Sequence, residues 1–167
     1  MAYFIEEGRA GLQNIAVTST TQDSGIPLGT IVRAKDPTYG QGEFIYLLGV
    51  ASTAVGSIVT YDPTTWLTTL SAVGGNIPRP IAVAMSANVA SSYGWYQISG
   101  LAVCKKQCTV SLAAGAAVGV LSTGLIAGTG SGKEIMGAAV AAVASATAGR
   151  TTVTVMINRP HKQGRVT

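Results

Sequence analysis

Charge is scarce in this sequence. Only 11% of the 167 residues are Asp, Glu, Lys or Arg, against about a quarter in ordinary globular domains. Aromatic residues make up 6%, cysteine occurs twice and histidine once. Each shortage removes a class of chemistry. A Ser–His–Asp or Cys–His arrangement would have to recruit His161 from the C-terminal end. A zinc site needs about four ligands, and beyond Cys104, Cys108 and His161 only scattered carboxylates could complete one. The seven acids (Glu6, Glu7, Asp23, Asp36, Glu43, Asp62 and Glu134) are dispersed, and Asp36 and Asp62 precede prolines as turn residues do. No catalytic residue, metal, cofactor or small-molecule substrate is expected.

Long apolar runs are missing too. The most apolar stretch, residues 111–128, is broken by Gly, Ser and Thr and falls short of the roughly twenty apolar residues of a membrane span. Glu6 and Glu7 interrupt the apolar core of a signal peptide. A soluble chain with no membrane partner is expected. The net charge of +4 is mild, and its bases are scattered apart from Arg159, Lys162 and Arg165. Nucleic-acid binding calls for denser basic patches interleaved with aromatics, so it is not expected either.

What is abundant is Ala, Val, Thr, Ser and Gly: 47% of the chain is hydrophobic and 21 residues are glycine. This suits short β-strands packed through small side chains, with glycine at turns. Turn signals recur as "QDSGIP", "KDPTYGQG", "YDPTT", "GGNIPRP", "SSYG" and "TAGR". Between them lie runs such as "EFIYLLGV", "GWYQISGLAV" and "TTVTVMIN". In the last, Val153, Val155 and Ile157 alternate with Thr152, Thr154 and Met156, the period of a half-buried strand. The pattern predicts an all-β fold, a small barrel or sandwich of short antiparallel strands. An N-terminal arm is expected over 1–11, one β domain over 12–158 and a basic tail over 159–167.

A weak internal echo runs through "PLGTIVRA" (27–34), "AVGSIVTY" (54–61) and, more loosely, "LAAGAAVGV" (112–120). Each reads as a glycine turn opening a strand. The stretch "AGTGSGKEIMGAAVAAVA" (127–144) superficially suggests a phosphate loop. However, Ala127 stands where the first glycine belongs and Glu134 where the hydroxyl belongs, so a turn is expected. The alanine-rich segment after it could be helix or strand, and the β context favours strand. In "CKKQC" the two sulfurs of a regular strand would lie about 13 Å apart, too far to bridge. Free structural thiols are expected, with a bridged tight loop as the alternative. In "YGWYQ", Trp95 and Tyr96 fall on opposite strand faces, so one is expected in the core and the other is a candidate contact residue.

Taken together, "PLGTIVRAKDPTYGQGEFIYLLGV", "AVGSIVTYDP" and "PIAVAMSANVASSYGWYQISGLAV" resemble the capsid decoration (cement) proteins of tailed bacteriophages. The resemblance spans roughly residues 25–120 and rests on strands and glycines, with no catalytic signature. It implies a non-enzymatic virion protein, made in the host cytoplasm, that binds the outer surface of the major capsid protein's shell as a homotrimer and stabilises it. Candidate capsid or subunit contacts are Tyr3, Phe4, Ile5 and Arg9 in the arm, Trp95 and Tyr96, and Arg159, Lys162 and Arg165 at the C-terminal end. The arm has an equal alternative as an edge strand of its own domain. Another phage head or tail component, or a carbohydrate- or receptor-binding β-module using Trp95, Tyr96 or Trp66, are the competing functions.

Overall fold

The computed structural model describes residues 4–5, 12–23, 25–72, 78–107, 109, 111–141, 148–149 and 151–164. Tyr3, Arg9, Cys108 and Arg165 lie outside them. Among the described residues twelve strands follow in chain order: β1 (Phe4–Ile5), β2 (Thr18–Ser19), β3 (Ile31–Asp36), β4 (Gly40–Leu48), β5 (Ile58–Tyr61), β6 (Thr68–Leu70), β7 (Ile81–Ala84), β8 (Tyr93–Lys105), β9 (Ala117–Val120), β10 (Ile126–Gly128), β11 (Glu134–Val140) and β12 (Thr152–Lys162). The fold is all-β. The strands pair antiparallel in the order β1-β3-β4-β8-β12-β11-β9-β10, while β2 and β7 also pair with β8 and β5 joins β7 to β6. The sheet curls into a half-barrel.

The glycine echo proves to be one backbone device used three times. Thr30 N–H donates to Pro27 O, Ser57 to Ala54 and Ala116 to Ala113, closing three four-residue turns. Their third residues, Gly29, Gly56 and Gly115, sit at φ of 83°, 81° and 74°, as a type II turn requires. In each, the glycine N–H donates to a residue of a neighbouring strand, and that residue's own N–H donates back to the fourth turn residue. Gly29 and Thr30 clasp Tyr46 in this way, Gly56 and Ser57 clasp Ala84, and Gly115 and Ala116 clasp Val140, all at 2.8–2.9 Å. The turn therefore fixes the register of the strand it opens.

The other turns behave as their residues dictate. Asp36 Oδ1 accepts from the N–H groups of Thr38 and Tyr39, and Asp62 Oδ1 from those of Thr64 and Thr65. The glycine-rich loop is a turn in which Lys133 N–H donates to Gly130 O. It leads into β11, a strand, so there is no helix N-terminus to hold a phosphate. Residues 142–147 of the alanine-rich segment lie outside the described residues.

Three apolar clusters fill the fold. One gathers Phe44, Tyr46 and Trp95 with Ile15, Ile26 and Val32. A second lies on the other face of the same strands, with Ile45, Leu47, Tyr96 and Ile98 under Val59, Ala82 and Ala84. The third packs Ala102, Cys104, Val153, Val155 and Ile157 against Ile58, Ile81, Val83, Val118 and Ile126. The first half of β8 is thus covered on both faces and the second half on one.

Two boundaries differ from expectation. The N-terminal segment supplies β1, which pairs Phe4 with Lys35 and Ile5 with Ala34 at the edge of β3; the edge-strand alternative is the one observed for these two residues. At the other end, the strand does not stop at 158. β12 continues through Lys162, kinked at Arg159 (φ 42°), because its partners change. On one edge Asn158 pairs with Ser99 of β8 and, past the kink, His161 bridges Pro80 and Lys162 N–H donates to Arg79 O, while β11 stays paired along the other edge on both sides of the kink.

The turn device predicts unequal costs for equal substitutions. A Cβ on Gly115 would meet nothing within 4 Å, whereas one on Gly56 would lie 2.8 Å from Val103 O. In denaturant melts, Gly115→Ala should cost about 1 kcal/mol, the left-handed penalty alone. Gly56→Ala should cost more than about 3 kcal/mol, since strain and overlap add. Equal costs would mean that the turns are not packed as described.

Candidate interaction face

Cross-strand partners share a face, so the register of β3, β4, β8, β12 and β11 defines what lies on the open side of the sheet. One row runs Arg33, Glu43, Ser99, Asn158. The next runs Leu101, Met156, Ala139, followed by Val103 with Thr154 and Lys105 with Thr152. The intervening pairs, Ala102 with Val155 and Cys104 with Val153, point into the core. Met156, at 59% exposure, is the most exposed large apolar side chain among the described residues. Leu101, Val103 and Ala139 beside it are half-buried.

Polar groups flank this apolar strip. Glu43 lies between two guanidinium groups: Arg33 Nε is 3.6 Å from its Oε1, and Arg159 Nη2 is 3.2 Å from its Oε2. The Arg159 Nε donates to the same Oε2 at 3.3 Å. The arginine side chains are 71% and 64% exposed, so each pair is worth about 0–1 kcal/mol to the fold. Their value lies elsewhere, since two cations share one anion and leave an unneutralised charge facing outward. An open depression of about 400 Å³ lies beside them, lined by Arg33, Gln41, Gly42, Glu43 and Ser99. A second, mostly apolar depression of about 580 Å³ shares Ser99 and is floored by Gly100, Gly137, Ala138 and Met156. It forms where Gly137 (φ 77°) bulges β11 away from β12.

The expected contact residues fare unequally. Arg159 is on this face. Phe4 and Ile5 are at the β3 edge. Trp95 and Tyr96 do point to opposite faces, but neither is exposed, because β8 has a packed layer on each side here. Trp95 Nε1–H donates to Gln13 O at 2.9 Å, and its ring tilts against Tyr46 at 5.1 Å. Tyr96 Oη accepts from Asn88 Nδ2 at 2.6 Å, and Asn88 Oδ1 in turn accepts from Ser86 Oγ. A sugar platform built on either aromatic is therefore ruled out. Trp66 is half-buried and stacks on Tyr61. Lys162 is buried as well, its Nζ donating to Ala72 O at 2.9 Å, so it serves the fold and not a surface.

Arg33, Glu43, Leu101 and Met156 were not among the residues expected at a contact. Met156 carried a signal, being a long apolar side chain on the threonine side of "TTVTVMIN".

Among the described residues no group of three His, Cys, Asp or Glu side chains could hold a metal ion, and no helix is long and apolar enough to cross a membrane. Cys104 is a free, fully buried thiol. No protein-family model matches the chain, and no curated protein matches it.

Burial pushes the Cys104 thiol up from its usual 9.0 to about 12, and burial likewise raises the Tyr96 phenol, against the pull of its Asn88 hydrogen bond. In a Cys108→Ser background, Cys104 should resist a thiol reagent for hours in the native protein and titrate fully in denaturant; rapid native labelling would contradict its burial. Both groups are acids with raised folded pKa, so the fold favours their neutral forms. The unfolding free energy should hold level up to about pH 9 and decline above it, where the unfolded chain ionises first. A profile rising above pH 9 would contradict this sign.

Proposed function

We propose that this chain is a structural virion protein that docks on the outer surface of a phage capsid shell, as a homotrimer, and stabilises that shell. One observation carries the reading: the central sheet is sealed on both faces along half of β8, yet along the other half it leaves an extended face open around Leu101, Val103 and Met156. A charge-poor chain gains most from covering such a face against a large partner. The all-β fold and the glycine-opened strands support the same reading, because the resemblance of residues 25–120 to decoration proteins rests on strands and glycines. No catalytic step, cofactor, membrane or nucleic acid enters it. The competing sugar-binding reading loses its two leading aromatics to the core.

Co-sedimentation tests the proposal. Purified protein should pellet saturably with shells made without it, in their expanded form, their unexpanded form or both. Failure to pellet with either form would overturn the reading.

A further inference from the structure

We infer that the shell is met by the Arg33–Glu43–Arg159 side of the open sheet, and that what it receives there is an acidic protein segment carrying an aliphatic side chain. The inference rests on the docking reading above and adds the face and the chemistry of the partner.

The charge argument comes first. Along the outward rows of β3, β4, β8, β11 and β12 stand the bases Arg33, Lys35, Lys105 and Arg159, with the acids Glu43 and Glu134. The imbalance is steepest where Glu43 is shared by two guanidiniums. His161 is also exposed, one strand position beyond Pro160. Guanidinium groups bind carboxylates through paired N–H donors. Because Glu43 occupies only part of each fork, both arginines keep donors for a further carboxylate.

The apolar argument is independent. Arg159 also borders a small cleft of about 120 Å³ between Ile31, Tyr61, Pro80, Ile98 and Pro160. Its walls are aliphatic and aromatic, and its volume is close to that of one aliphatic side chain. Ile31 remains 41% exposed at its mouth. The cleft exists because two strands deviate together: β8 bulges where Ser99 and Gln97 face consecutive residues Glu43 and Phe44, and β12 kinks at Arg159. On the other side of the arginines lies the Met156 strip. A cationic pair between two apolar sites matches a partner with a carboxylate next to an aliphatic anchor, the arrangement in which charge orients docking and apolar burial holds it.

The test uses expanded and unexpanded shells and four forms of the full chain. Relative to the native protein, Arg33→Gln/Arg159→Asn should bind about tenfold more weakly and lose most of its salt sensitivity; Asn suits the left-handed backbone at position 159. Met156→Thr, a mild change at an exposed strand position, should weaken binding about threefold. Lys133→Gln, which removes the same sign of charge in the β10–β11 turn, should bind as the native protein does. Unchanged thermal midpoints check that the variants fold. If the native protein binds and both face variants bind within twofold of it, the inference is wrong and the docking reading stands. If the native protein does not bind, both fall.

Discussion

Between Gln97 and Leu101 the central strand changes partners, and one side-chain amide makes this possible. Gln97 is completely buried, and its Nε2 donates to the carbonyls of Ser99 (3.0 Å) and Leu101 (3.1 Å). These carbonyls belong to the stretch where the bulge breaks the regular ladder with β4. A buried carbonyl left without a donor costs about 1–3 kcal/mol. Gly100, at φ 99°, supplies the backbone turn, and any Cβ there would collide with the Gln41 carbonyl. Upstream of this point β8 belongs to a two-sided core; downstream it belongs to a sheet with one open face. The Gln97 Oε1 has no hydrogen-bond partner among the described residues.

How far the sequence revealed this depends on which physical signal each feature leaves. The alternation of Val153, Val155 and Ile157 has one cause, a strand with one wet face, and it was legible. So were the turns, because Gly29, Gly56 and Gly115 occupy backbone conformations that other residues avoid, and Asp36 and Asp62 cap turns with their own carboxylates. The burial of both Trp95 and Tyr96 was not legible. Alternation says that neighbours point to opposite faces, but only the three-dimensional return of β5–β7 and of the segment around Ile15 and Ile26 covers both.

The candidate face is harder still to read from a string of residues. Arg159 and Glu43 are 116 positions apart, and they meet only because β4, β8 and β12 align Glu43, Ser99 and Asn158 in one row. Pro160 stands inside β12 although proline ordinarily ends a ladder. Here it follows the kink at which β12 leaves β8, so no β8 ladder bond is sacrificed. Within the expected basic tail, residues 159–162 continue β12, with Lys162 turned inward.

The turn device has a bearing on ancestry. Three strands take their register from main-chain hydrogen bonds around a single glycine, and the clasped residues are as different as Tyr46, Ala84 and Val140. Backbone atoms are the same in every residue. A lineage that retains those glycines can therefore replace most of what the strands carry and still inherit the same outline, so kinship among such proteins would persist in the spacing of their glycines after the rest of the text has been rewritten.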